Sequence, residues 1–274
     1  MIMDLDKRRR QVLEGGVLLL EHLEVHRPIV LDVPHAGRQY PAEFEFDCDK
    51  RSLLKTEDRF CDALYHPLFS MARYVVIAKV PRTYVDLNRE CGVGAVRKLS
   101  VDGQSIRREN LSERDYTKRF RYHSLYVNTL RTCVERTVKL HGYCIYINLH
   151  TFMGTRAPSD NRHYEGEASH AYVGNRNGAS ASSELTSLLC STLNRHGIQS
   201  VENDVFPGAF LLDMARSVSS RVEAIQLEVR RNLYLRDDLT LDRAGLSRSR
   251  EKLVDSFNDF FERVEKQYAG NIGE

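Results

Sequence analysis

The chain has no Cys-x-x-Cys pair, no long apolar run, no excess of one charge and no internal repeat. Its six cysteines, Cys48, Cys61, Cys91, Cys133, Cys144 and Cys190, lie far apart. That spacing supports neither a zinc ribbon nor a disulfide framework. Several sit inside apolar runs and read as small buried thiols. A reducing compartment follows, so a cytoplasmic location is the expectation. No apolar run approaches the ~20 residues of a membrane span, and Met1 to Arg10 lacks the apolar stretch of a secretory signal. No membrane partner is therefore expected. Net charge is only +2, and the scattered arginines form no basic stripe with interleaved aromatics, so no nucleic-acid partner is expected. The one early cluster, Lys7-Arg8-Arg9-Arg10, reads as a solvated tail.

Hydrophobic residues make up 42% of the 274 positions and charged residues 28%, ordinary values for a globular chain with a sizeable core. No linker interrupts the sequence, which reads as one domain over 1–274. The order of elements alternates between strands and helices. Short β-prone runs occur at Ile29–Val33, Tyr74–Ala78, Cys144–Leu149, Ala171–Val173, Ile198–Val201 and Ala224–Val229, with another expected at Tyr84–Asn88. Apolar residues at near-helical spacing mark helices over 50–72, after Ser112, over about 185–193, and around Leu253, Phe257, Phe260 and Phe261. Ser112-Glu113-Arg114-Asp115 looks like a capping box, and Gly142 and Gly197 look like stops. Residues 92–111 and the stretch from Thr151 to about His170 read as loops, the second long enough to suggest a functional role.

Three of the strand-like runs end on chemistry-bearing residues. Ile29 to Val33 leads into Pro34-His35-Ala36-Gly37, Cys144 to Leu149 leads into His150, and Ala224 to Val229 carries Glu228. Buried strands of an α/β sheet end at the ligand crevice, so polar groups there are placed for chemistry. Catalytic zinc takes three protein ligands from His and Asp or Glu and leaves one position open. His35 and His150 are two candidates, although a lone turn histidine is as often a hydrogen-bonded structural residue. The third is one of the adjacent acids in Thr56-Glu57-Asp58, which look like the start of an apolar helix. Glu228 shares a strand face with Gln226 and is the candidate general base. Val85-Asp86-Leu87-Asn88-Arg89 offers a basic clamp of the kind a carboxylate requires.

Read together, these segments resemble the N-formylglutamate amidohydrolase family. Pro34-His35-Ala36-Gly37-Arg38-Gln39-Tyr40-Pro41 is similar to its PHSGxxYP signature. Glu57-Asp58 with Asp62 and Leu64-Tyr65, then Val85 to Arg89, Asn148 to Thr151, Val173 to Gly178, and Ala224 to Glu228 with Arg231 and Leu233-Tyr234, follow in the family's order. Coverage runs from about residue 29 to 235. The resemblance implies a zinc-carboxypeptidase-like, three-layer α/β fold with a mixed central sheet and helices on both faces. It implies a Zn2+ site at His35, Asp58 and His150, with Asp58 preferred over Glu57 by register. It makes Glu228 the base, has Arg82 polarise the scissile carbonyl, and has Asn88 and Arg89 hold a substrate carboxylate. The implied reaction is hydrolysis of a small acidic N-acyl amino acid, N-formyl-L-glutamate to formate and L-glutamate. A glutamyl-type metallocarboxypeptidase, another N-acyl-amino-acid deacylase, and a non-catalytic binding domain are the alternatives. The chain departs from the family where Asn148 replaces the usual Asp and Glu223 often stands for His. The first is expected to alter the support of His150, and the second to place an acid where an active-site cation could lie.

Overall fold

The computed structural model describes residues 8–13, 16–42, 44, 46, 48–96, 100–101, 104–106, 111–153 and 169–269. In chain order these hold β1 (Arg8–Leu13), β2 (Val17–His22), β3 (Ile29–Val33), α1 (Lys50–Thr56), α2 (Cys61–Tyr65), β4 (Tyr74–Ala78), β5 (Ser100–Val101), β6 (Gln104–Ser105) and α3 (Glu113–His141). After them come β7 (Cys144–Phe152), β8 (Ala171–Gly174), α4 (Ser183–Arg195), β9 (Ser200–Glu202), α5 (Phe210–Arg216), β10 (Val222–Arg230) and α6 (Arg243–Ala269). Short 3-10 turns follow α2 at His66–Met71 and β10 at Arg231–Leu233.

Eight of the described strands form one sheet in the order β1-β2-β4-β3-β7-β10-β8-β9, and β5 pairs with β6 apart from it. The central strands β4, β3, β7 and β10 run parallel. Covered on both faces, they read as near-continuous apolar runs rather than alternating ones. The sheet is mixed because β2 meets β4, and β8 meets β10, antiparallel.

Residue parity divides the core. Ile29, Leu31, Val33, Ile145, Ile147, Leu149, Ile225 and Leu227 face a cluster with Leu64 and Leu68, Leu189 and Leu193 of α4, and Phe257, Phe260 and Phe261 of α6. Val30, Val76, Tyr146, Val222 and Ala224 face a second cluster with Tyr126, Leu130 and Val134 of α3 and Leu211 and Leu212 of α5. Each large side chain so buried contributes roughly 1.5–3 kcal/mol. Helices thus lie on both faces, as the resemblance implied. On the α3/α5 face the apolar run ends one step before the strands do. Asp32, Asn148 and Gln226 lie in register across β3, β7 and β10, and one step further His150 lies beside Glu228.

The local signals at α3 behave as the sequence suggested. Ser112 and Asp115 form a reciprocal capping box, and Gly142 ends the helix at φ 80°, a left-handed position that favours glycine. Four expectations change. Arg8–Arg10 belong to strand β1, paired antiparallel with β2, rather than to a solvated tail; Lys7 lies outside the described residues. The helix over 50–72 is broken, because α1 stops at Thr56 and Phe60 turns left-handed at φ 56° before α2 starts. Glu57 and Asp58 therefore sit in the link between two short helices, not at a helix start. Tyr84–Asn88 forms turns instead of a strand, with Tyr84 N–H donating to Pro81 O and Asp86 N–H to Ala95 O. Much of the loop after Thr151, residues 154–168, lies outside the described residues. No helix of the described residues is long and apolar enough to cross a membrane, and all six cysteines are free thiols.

Candidate metal centre and its surroundings

The turn after β3 is held close to β4. A Cβ on Gly37 would fall 2.0 Å from Val80 O, so only glycine allows the backbones to approach, and Gln39 N–H donates to Lys79 O. This fixes Pro34-His35 over the C-terminal end of the sheet. His150 comes from β7, whose end is tied to α2 by Tyr65 Oη–H donating to His150 O at 3.0 Å. Asp58 is drawn to the same place because Thr151 N–H donates to its Oδ2 at 3.0 Å.

Among the described residues, His35, Asp58 and His150 are the one group of His, Cys, Asp or Glu able to hold a metal ion, with ligand atoms within 4.8 Å of one another. All three are buried. The imidazoles meet edge to face at 4.5 Å between centroids. Asp58 Oδ2 lies 3.2 Å from His150 Nδ1 and 3.8 Å from His35 Nδ1. Both rings are oriented from behind. His35 Nε2 is 2.8 Å from Asp86 Oδ1, and His150 Nε2 is 2.8 Å from Asn148 Oδ1. A proton on His35 Nε2, held by Asp86, leaves the His35 Nδ1 lone pair facing Asp58, while His150 Nδ1–H donates to Asp58 Oδ2. Among the described residues His35 Nδ1, which is buried, has no hydrogen-bond partner, the kind of orphan that a missing ligand explains.

Cations surround the carboxylates. Arg231, buried, donates to Asp58 Oδ1 at 3.0 Å, to Thr151 O at 3.0 Å, to Thr151 Oγ1 at 3.2 Å and to Lys55 O at 3.0 Å. Arg82 donates to Asp86 Oδ2 at 2.9 Å and lies 3.7 Å from Asp58 Oδ1. Burial opposes ionisation of Asp58, but the hydrogen bond from His150, the neighbouring His35 and the Arg231 guanidinium hold its carboxyl below the usual range. Burial likewise opposes ionisation of Asp86, which Arg82 and His35 nonetheless hold well below it. Burial, then Arg82, depress His35 to about 4, which keeps the ring neutral and its Nδ1 free to bind.

Glu228 stands beside His150 across the β7–β10 ladder. Burial pushes its carboxyl up to about 7, and the charge of Asp58 adds to that. Gln226 Nε2–H donates to Glu228 Oε1 at 3.4 Å. Arg89 Nε pairs with Asp86 Oδ2 at 3.4 Å, yet its side chain is 42% exposed.

Asn88 is held by the protein at both ends of its amide. Its Oδ1 accepts from Leu211 N–H at 3.2 Å, and its Nδ2 lies 3.2 Å from His150 Nε2, donates to Gln226 Oε1 at 3.3 Å and lies 3.5 Å from Asn148 Oδ1. Glu57 is apart from the metal cluster, holding the Tyr40 hydroxyl and Arg59. Glu223 lies at the opposite end of β10 and accepts from Ser182 N–H, the N-cap of α4, at 2.7 Å. The expectation that it puts an acid into the active site is therefore overturned. In the sequence Asp86 and Arg231 are only members of their motifs. Their buried positions beside the cluster were readable only from the fold.

The family model for N-formylglutamate amidohydrolase matches residues 27–235. Among solved structures, an N-formylglutamate amidohydrolase from Ralstonia eutropha JMP134 aligns with TM-score 0.80 at 22% identity, covering 92% of this chain and 99% of that one. Gene product Atu2144 from Agrobacterium tumefaciens aligns with TM-score 0.72 at 14% identity, covering 91% and 96%. Both share the fold. No curated protein sequence matches the chain. By the family match over most of its length, the chain belongs to the N-formylglutamate amidohydrolase family.

Proposed function

We propose that the chain is a zinc-dependent hydrolase that cleaves the amide bond of an N-acyl amino acid, with N-formyl-L-glutamate as substrate. The observation that carries this reading is the convergence of His35, Asp58 and His150, with His35 Nδ1 left without a partner, beside the buried carboxyl of Glu228. Two imidazoles and one carboxylate suit zinc, which takes three such ligands and keeps a fourth position open. Bound there, the ion would lower the pKa of water and polarise an acyl oxygen.

The rest falls to the protein. Glu228 takes the proton of the attacking water as oxygen adds to the acyl carbon, then hands it to the leaving nitrogen as the C–N bond breaks. A carboxyl raised to about 7 is matched to both tasks. Gln226 holds it in place. Arg82 has a buried Nε with no hydrogen-bond partner and donates it to the acyl oxygen as negative charge develops. Its other nitrogens stay on Asp58 and Asp86. Arg89, partly exposed with only its Nε on Asp86, takes the substrate carboxylate, two parallel hydrogen bonds being the guanidinium's preferred mode. Asn88 supports Gln226 and Asn148 from beneath, so the carboxylate is assigned to Arg89 rather than shared.

Zinc-loaded protein offered N-formyl-L-glutamate, N-acetyl-L-glutamate, N-formyl-L-aspartate and the amide-capped glutamate should release formate fastest from the first. Metal-replete protein that turns over none of the four would refute the reading.

A further inference from the structure

Asp32 is an unusual residue in its setting. It sits in the middle of β3, in an otherwise apolar run, and is fully buried. Its oxygens accept from three neutral donors. Tyr126 Oη–H donates to Oδ1, and Tyr146 Oη–H at 2.6 Å and Asn148 Nδ2–H at 2.7 Å donate to Oδ2. Among the described residues, no Lys or Arg forms an ion pair with it. Burying a carboxylate without a cation is costly, and an apolar residue would fill this place more cheaply.

The geometry shows where its charge is directed. The β3–β7 register sets Asp32 opposite Asn148, and Asn148 shares a strand face with His150. The amide is used at both ends, with Nδ2–H on Asp32 and Oδ1 accepting at 2.8 Å from His150 Nε2, an atom that also lies 3.2 Å from Asn88 Nδ2. An Asn amide has one acceptor oxygen and one donor nitrogen, so it can stand between a carboxylate and an imidazole N–H. A carboxylate that accepts from the NH2 group polarises the amide and strengthens its oxygen as an acceptor. His35 has the shorter version of the same support, with Asp86 directly on Nε2 at 2.8 Å.

We propose that Asp32 is a positioning residue for the metal centre, acting on His150 through Asn148. The chain carboxylate–amide–imidazole fixes the His150 tautomer and supplies at one remove the negative charge that Asp86 gives His35 directly. This rests on the metal site proposed above. It also explains how Asn148 can stand where the family usually has an acid, because the acid lies one residue deeper.

The test is Zn2+ affinity, measured by competition with a chromophoric chelator on metal-stripped protein. Asp32→Asn keeps the size and an acceptor for Asn148 but removes the charge. It should weaken Zn2+ binding by about 10–100-fold, the range seen when partners behind a ligand are lost. Asp32→Asn/Asn148→Asp returns the charge directly to His150 and reverses the amide, so it should recover most of that loss. Asn148→Ala keeps Asp32 but cuts the chain, and should weaken binding as Asp32→Asn does. Wild-type affinity in Asp32→Asn would overturn the proposal, as would a folded double variant that recovers nothing. Where Asp32→Asn fails to fold, a folded double variant with restored affinity supports the proposal. Where neither folds, Asn148→Ala decides, and wild-type affinity in it overturns the proposal. Wild-type protein that takes up no metal would strike the metal-site reading instead.

Discussion

Replacing Arg231 by methionine should lower both the stability of the protein and its hold on metal. The guanidinium side chain is only 7% exposed and joins three parts of the chain, meeting Asp58, the end of β7 at Thr151, and the end of α1 at Lys55. Methionine fills a similar volume but donates nothing. Asp58, itself buried, would lose its nearest cation, and Thr151 O and Lys55 O would lose their donor. Removing one partner of a buried ion pair costs about 3–5 kcal/mol, because the remaining charge stays buried. At about 2–4 °C per kcal/mol for a chain near this size, the melting temperature should fall by roughly 6–20 °C. Asp58 Oδ1 would also be free to turn, so Zn2+ affinity should fall about 10–100-fold. Thermal denaturation followed by circular dichroism and chelator competition check the two effects separately. A melting temperature within about 2 °C of wild type, with unchanged metal affinity, would refute the role given to Arg231.

Glu228→Gln should keep the fold and the metal while lowering kcat by about 10²–10⁴-fold, the usual worth of a positioned base; a near wild-type rate removes Glu228 from the mechanism. The same variant tests the pH dependence of stability. The folded-state carboxyl is raised from 4.5 to about 7, so between those values the folded protein binds more protons than the unfolded chain. Stability of metal-free wild type should therefore drop relative to the variant as pH rises through that window. Metal-free Glu228→Gln should be the more stable at pH 8, and a variant less stable there contradicts the burial of an unpaired charge. Arg89→Lys should leave zinc content and melting temperature nearly unchanged but erase the preference for an N-acyl glutamate over its amide-capped form. A lower melting temperature with preference intact would mean that Arg89 serves only its pair with Asp86.

The site residues were legible because each followed a recognisable strand end. His35 and His150 stood out by the apolar runs before them, and Glu228 by its alternation with Ile225, Leu227 and Val229. The choice of Asp58 over Glu57 needed the motif. Its physical basis appears only in the fold, where Thr151 N–H and Arg231 draw one acid inward while Tyr40 and Arg59 hold the other. Apolar spacing over 50–72 continued through the break at Phe60, and periodicity alone does not register a left-handed residue. Tyr84 to Asn88 alternates like a strand but pairs with no strand among the described residues, and its backbone closes turns. The seven residues of α5 are too few for a periodic signal. The row Asp32–Asn148–Gln226 depends on strand order and register, which bring together residues more than seventy positions apart. Glu223 was misread for the same reason: it is near Glu228 in sequence, but it lies at the other end of the strand.

Metal content tests the reading most directly. Protein purified with zinc available and then desalted should carry about one zinc per chain by elemental analysis, and His35→Ala and His150→Ala should each lose most of it while staying folded. Full zinc retention in both variants, or none in the wild type, would contradict a metal centre at His35, Asp58 and His150.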